Sequence, residues 1–350
     1  MVEPSDFRSD TVTRPTPELR RAIAEAAVGD DVLDGDPTVR ELEEYAAGWL
    51  GKEGALFVPS GTMANQVALG VWTRPGDELI CEADAHIVRW EAGASGFLHG
   101  VQTRLLVGER GALDPAEVDA AVQPIFIHSP ATVLVCVEQT HMGAGGAVVP
   151  LERLRALRGV AGQHDLPLHM DGARLANAVV ASGVAADEYA AQVDSVSLCL
   201  SKGLGAPVGS VVAGDEAFLE QARRVRKRLG GWMRQAGVIA AGGLHALRNH
   251  VERLAEDHAL ARELASCCAR FDGLEVDPAA VETNLVMVRV SSPAPEAAVL
   301  AEELSNHGVR VSALSRDVLR FVTHMDVGPA DLERLERSLE EILGRGSTRG

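Results

Sequence analysis

The chain has 350 residues, 46% of them hydrophobic and 24% charged, with a formal net charge of −17. That length can bury one large core and a smaller second one, in an ordinary globular composition. The acidic balance argues against nucleic acid and anionic membrane surfaces as partners, because both need a basic face.

The five cysteines (Cys81, Cys136, Cys199, Cys267, Cys268) form neither a metal spacing nor a disulfide framework. With no leader-like N-terminus and no bilayer-length apolar run, a reducing, cytoplasmic setting is expected.

In chain order, "TPELRRAIAEAAV" opens a helix, with Thr16 as N-cap and Pro17 at the first helical position. "GDPTVRELEEYAAGWL" repeats the pattern with Asp36 and Pro37. "ALFV", "PSGT" and "MANQVALGVW" then read as strand, turn and helix. Short apolar runs follow at intervals: "ELICE", "TVLVCVE", "LPLHMD", "SVSLCL" and "VGSVVAG". Such runs, separated by helical stretches, suit strands buried on both faces of a mostly parallel sheet.

The character changes near Asn249. A long helical stretch, "HVERLAEDHALARELASCCARF", leads into "NLVMVRV", "VRVSAL", "VLRFVTHM" and an amphipathic helix with leucines at 332, 335 and 339. The expected architecture is α/β: residues 1–248 form a large domain, and 249–350 a small α+β domain. The terminal "GRGSTRG" is expected to fray.

Lysine is rare, with only Lys52, Lys202 and Lys227 in an arginine-dominated chain. Lys202 follows an apolar run and precedes "GLGAPVG", which cannot continue a regular helix. A strand-end lysine reaching for solvent would also fit. A desolvated lysine, however, is a nucleophile able to form a Schiff base, which an arginine is not.

Asp171 ends another apolar run, where open α/β sheets place ligands. It could hold a protonated ring nitrogen or simply cap the next helix. The Ser60, Gly61 and Thr62 turn at a helix start suits a phosphate. His86 follows a strand end and could stack on a ring or take a proton, and His128 carries the same possibilities. Arg234 lies past a glycine pair, while Arg320 sits inside an apolar run and calls for an anionic partner.

These motifs in order, "DFRSDTVTRPT", "DPTVRELE", "FVPSGTMANQ", "DAHI", "LHMDGARLANA", "SVSLCLSKGLGAPVGSV", "RKRLGGWMRQAG" and "VTHMDV", resemble the low-specificity L-threonine aldolases. Members are enzymes of the aspartate-aminotransferase fold (type I) that depend on pyridoxal 5′-phosphate. The resemblance implies that Lys202 is the Schiff-base lysine and Asp171 the partner of the pyridine nitrogen. His86 matches the stacking histidine, and Gly61 and Thr62 match the phosphate turn. Arg174 would lie near the cofactor's phenolic oxygen and the substrate carboxylate, with Ser9 and Arg320 completing the carboxylate site. Arg234 would reach a phosphate of a neighbouring subunit.

The implied reaction is cleavage of L-threonine, L-allo-threonine and related L-β-hydroxy-α-amino acids to glycine and an aldehyde. β-Elimination or transamination on the same scaffold is the alternative. The base that takes the β-hydroxyl proton is His86, His128 or a water. A homo-oligomer is implied, a tetramer or dimer of dimers, with a cation conceivable near Thr11 and Thr13. Three departures touch the substrate profile: Gln139 in "EQTH", Leu33 where many members carry tyrosine, and Trp232 in place of a third glycine.

Overall fold

The computed structural model describes residues 3–344, which divide into two compact units, 15–251 and 3–14 with 252–344. The first strand in chain order, β1 (Ser5–Asp6), belongs to the smaller unit.

In the larger unit, seven strands make one sheet: β2 (Gly54–Val58), β3 (Glu78–Glu82), β4 (Gln102–Leu106), β5 (Thr132–Glu138), β6 (Leu168–Asp171), β7 (Ser195–Cys199) and β8 (Ser210–Gly214). Their order is β2-β8-β7-β6-β5-β3-β4. β8 runs antiparallel to both β2 and β7, and the remaining neighbours are parallel. Every residue of β3, β7 and β8 is buried, as apolar runs covered on both faces require.

The helices Gly61–Trp72 and Glu216–Arg228 cover part of this sheet through a cluster of Val58, Ala64, Val67, Val212, Phe218 and Leu219. The helix starts follow the capping logic of the sequence. Thr16 Oγ1 accepts from the Leu19 amide at 3.2 Å, and Asp36 Oδ1 accepts from Thr38 and Val39 at 3.0 and 3.1 Å. Because β2, β3, β5, β6 and β7 point the same way, the residues following their C-terminal ends share one edge of the sheet. Ligand sites of open α/β sheets lie at that edge.

The smaller unit has an antiparallel sheet ordered β12-β13-β10-β9, from β9 (Leu274–Glu275), β10 (Leu285–Val290), β12 (Ser312–Ser315) and β13 (Val318–Val322). β1 pairs in parallel with β11 (Val309–Arg310). Residues 3–14, expected with the large domain, therefore go with the C-terminal unit, and the division falls after residue 251.

Phe7 is the physical reason. Its ring is fully buried in that unit's core, 6.3 Å from Phe321, and its amide donates to the Arg310 carbonyl at 2.8 Å. Its carbonyl accepts from the Val322 amide at 2.8 Å. Phe7→Ala should cost this unit about 3–5 kcal/mol, measured as a lowered denaturant midpoint for the full chain.

One helix begins later than the sequence suggests, at Leu254 rather than near His250. His250 ends the preceding helix and donates from Nδ1 to the Leu204 carbonyl at 2.7 Å. All five cysteines are free and buried. Among the described residues, no helix is long and apolar enough to cross a membrane. All but the first glycine of the terminal "GRGSTRG" lies outside the described residues.

Candidate active site

Asp171 is the last residue of β6 and is buried. Its Oδ2 accepts from Asn65 Nδ2 at 2.7 Å and its Oδ1 from the Ala173 amide at 3.0 Å. Burial alone would raise its pKa. The positive charges of His86 and Lys202, with those two hydrogen bonds, outweigh it and hold the carboxyl below the ordinary carboxylate range.

His86 follows β3 and opens a single helical turn, His86–Arg89. Its amide donates to Glu138 Oε2 at 2.7 Å, and its Nδ1–H donates to Glu91 Oε1 at 2.9 Å. Burial pulls the imidazole pKa down, but Glu91 and Asp171 push it up by more, and the net shift is upward. Glu91 is itself buried, accepting from Asn65 Nδ2 at 2.8 Å and Gln66 Nε2 at 2.7 Å. Glu138, at the end of β5, is pushed up by burial despite two backbone donors, His86 and Met142.

His86, Glu91 and Asp171 present ligand atoms within 4.8 Å of one another, a spacing that a metal ion could accept. Asn65 Nδ2 donates to both carboxylates, and the His86 ring donates to Glu91.

Lys202 stands in a bend after β7, half-buried, and its charge acts on both Asp171 and His86. Past the end of β2, one strand removed from β7 across β8, Ser60 caps the twelve-residue helix Gly61–Trp72, with its Oγ accepting from the Met63 amide at 3.2 Å. A Cβ on Gly61 would lie 2.5 Å from Cys199 Sγ, so only glycine lets this helix start approach β7 so closely. The arrangement suits an anion at the helix start, a cationic ring nitrogen at Asp171 and a carbonyl at Lys202.

The beta-eliminating lyase family model matches residues 6–291. Low-specificity L-threonine aldolase 1 of Arabidopsis thaliana is 41% identical over 332 residues, 93% of each chain. The Escherichia coli K12 low specificity L-threonine aldolase is 40% identical over 341 residues, 97% of this chain and 99% of that one. The chain belongs to the low-specificity L-threonine aldolase family. A threonine aldolase from Leishmania major, 20% identical, shares the fold with a TM-score of 0.81 over 97% of this chain and 100% of that one. The fold is that of the type I pyridoxal-phosphate enzymes, and the chain is a lyase.

Against this family's pattern, the structure gathers Asp171, His86, Lys202 and the Ser60–Thr62 turn at one sheet edge. Arg174 is buried nearby in sequence, at the start of the helix Leu175–Ser182, and donates its amide to the Gln139 carbonyl at 3.3 Å. His128 is not brought to this cluster. It lies in an exposed connection with its ring edge-on to Phe126, 5.3 Å away. Arg234 is exposed and reaches Asp30 at 3.3 Å.

Ser9 and Arg320 belong to the smaller unit. There Ser9 Oγ accepts from the Thr11 amide and hydroxyl, and Arg320 donates to the Arg8 carbonyl at 3.1 Å. The Thr13 hydroxyl donates to the Asp10 carbonyl at 2.6 Å.

Two of the three departures have clear roles. Gln139 clasps the Val149 backbone, donating to its carbonyl and accepting from its amide, both at 2.9 Å. Trp232 donates from its indole to Asp31 Oδ2 at 2.7 Å, the same oxygen that Arg226 reaches. Leu33, two residues on from Asp31, is 74% exposed, and nothing in the structure explains its replacement of tyrosine.

Asn65, Glu91, Glu138 and His169 are site residues that sequence reading passes over. The usable signal was polarity where burial is expected: Asn65 and Gln66 inside an apolar helix, and His169 two residues before Asp171, on the same strand face.

His169 carries its own prediction. Full burial lowers its pKa to about 4 from the ordinary 6.5. Its folded pKa is depressed, so the neutral form is favoured and stability falls as pH drops from 6.5 towards 4. The total is about 3 kcal/mol. His169→Gln should flatten that part of the pH–stability profile, read by urea unfolding at pH 7 and pH 4.5. His258 in the smaller unit is lowered to about 4 by the same cause, so a residual slope should remain.

Proposed function

We propose that the chain binds pyridoxal 5′-phosphate and cleaves L-threonine, L-allo-threonine and related L-β-hydroxy-α-amino acids to glycine and an aldehyde. The observation that carries the reading is the convergence of Lys202, Asp171 and His86 at one sheet edge, each acting electrostatically on another. The donor set fits the cofactor. The amides and hydroxyls of the Ser60–Thr62 turn suit its phosphate, buried anionic Asp171 its ring nitrogen, and Lys202 its aldehyde. When bound, pyridoxal phosphate supplies a sink for the electron pair released as Cα–Cβ breaks.

The chain's own residues set the conditions for that step. Asp171, held anionic, keeps the proton on the ring nitrogen. Arg174 is assigned to the substrate carboxylate, which fixes the bond to be broken relative to the ring. Of the two histidine candidates for the β-hydroxyl proton, placement favours His86. With Nδ1–H committed to Glu91, its neutral ring keeps Nε2 as an acceptor. Exposed Phe97, Ile125 and Ile127 support the expected homo-oligomer, in which Arg234 would serve a neighbour's phosphate. A cytoplasmic location stays with this reading.

The test is a panel of β-hydroxy-α-amino acids of both β-configurations, with L-serine, assayed in parallel for aldehyde, pyruvate and keto acid. Aldehyde and glycine in equal amounts are expected. Pyruvate or keto acid as the main product would replace the aldolase reading with elimination or transamination. Borohydride reduction of the holoenzyme should leave the cofactor's mass on the Lys202 peptide, and a label elsewhere refutes that assignment.

A further inference from the structure

Asn65 is 2% exposed and lies one turn into the helix Gly61–Trp72. All four of its side-chain hydrogen-bonding capacities are used. Nδ2 donates to Asp171 Oδ2 at 2.7 Å and to Glu91 Oε1 at 2.8 Å. Oδ1 accepts from the Ser197 hydroxyl at 2.9 Å and faces His169 Nε2 at 3.4 Å. A flipped amide would set an oxygen against two carboxylates, so its orientation is determined by its neighbours.

Those neighbours are themselves ordered. An indole N–H can only donate, and Trp72 Nε1 donates to Ser195 Oγ at 2.8 Å. Ser195 Oγ also lies 2.9 Å from His169 Nδ1, and the other ring nitrogen, Nε2, faces Asn65 Oδ1. Strand register supports the chain, because it pairs His169 with Ser195 and Asp171 with Ser197. Trp72, at the far end of the same helix, is thus linked through Ser195 and His169 to Asn65 and the two carboxylates.

We propose that Asn65 is a positioning residue, whose carboxamide, oriented by Ser197 and His169, fixes the Asp171 and Glu91 carboxylates and through them the partners of the cofactor's ring nitrogen and of His86. The proposal rests on the pyridoxal-phosphate reading above. Asn65 need not touch substrate or cofactor. It ties two acids that belong to different segments, one on β6 and one past His86, so that neither can rotate away.

The experiment titrates pyridoxal 5′-phosphate into the apo forms of the unsubstituted protein, Asn65→Leu and Asn65→Asp. It follows the dissociation constant, the pH titration of the bound cofactor's visible absorption, and the melting temperature. Asn65→Leu keeps the heavy-atom count and branching of the side chain and removes each of its hydrogen bonds. It should weaken cofactor binding roughly tenfold or more and move the absorption midpoint by about one pH unit. It should also lower kcat, with KM little changed. Asn65→Asp sets a third carboxylate against the other two and should do worse.

A folded Asn65→Leu with the original dissociation constant and absorption midpoint overturns the proposal, whatever its kcat. Should Asn65→Leu not fold, Ser197→Ala removes one donor to Oδ1 and keeps the amide. A smaller shift in the same direction supports the proposal there, and no shift overturns it. A missing cofactor band in the unsubstituted protein refutes the parent reading instead.

Discussion

Replacing Lys202 with alanine is expected to abolish aldehyde release from β-hydroxy-α-amino acids, lowering kcat by roughly 10³-fold or more. The argument is one of chemistry and position. Bonding an aldehyde covalently needs an amine that can lose its proton, and Lys202 is the lysine that follows β7 at the edge carrying Asp171 and His86.

Neither other lysine can substitute. Lys52 Nζ donates to the Val193 carbonyl at 2.5 Å, and Lys227 lies 5.8 Å from the centre of the Trp232 ring. Lys202→Arg is the sharper control, since it keeps a positive charge beside Asp171 while removing the nucleophile. Both variants should melt near the temperature of the unsubstituted apoprotein and lack the visible band of covalently attached cofactor. Turnover by Lys202→Arg at the original rate would show that charge, and not amine chemistry, is what position 202 supplies.

Much of this site was legible in the sequence because its residues sit where local rules place them. Lys202 and Asp171 follow apolar strand runs, and Ser60 precedes an apolar helix, so strand ends and caps alone locate them. What stayed hidden depends on register and long-range packing. That His169 faces Ser195, and that one asparagine spans the gap between Asp171 and Glu91, follow from how β6 aligns with β7 beneath a helix.

Phe7 illustrates the same limit in the fold. Its partners, Arg310, Phe321 and Val322, lie more than 300 residues away along the chain, and no pattern within "SDFRSD" announces them. Trp232 reads as a departure in the sequence, yet in space its indole and the Arg226 guanidinium meet on one Asp31 oxygen. The substitution has joined two segments about 200 residues apart.

The second large effect concerns Asp171. Asp171→Asn keeps the shape and removes the charge, and kcat/KM should fall roughly 10²–10³-fold, as when one preorganised electrostatic partner is lost. The loss has two routes. A carboxamide cannot hold a proton on a ring nitrogen, and it no longer supports the His86 imidazolium, whose pKa Asp171 raises. The His86 pKa should therefore fall, shifting the acidic limb of the pH–rate profile to lower pH.

Stability carries an independent sign. The folded pKa of Asp171 is depressed, so its contribution is present above the ordinary carboxylate range and is lost as pH falls through the folded value. Asp171→Asn should erase that strongly acidic component and, because the Asp171 charge raises the His169 pKa, deepen the His169 slope below pH 6.5. Asp171→Glu restores the charge on a longer arm and should recover part of the rate. An Asp171→Asn enzyme with unchanged kcat/KM and an unmoved acidic limb would remove Asp171 from the mechanism and leave it a structural acceptor for Asn65 and Ala173.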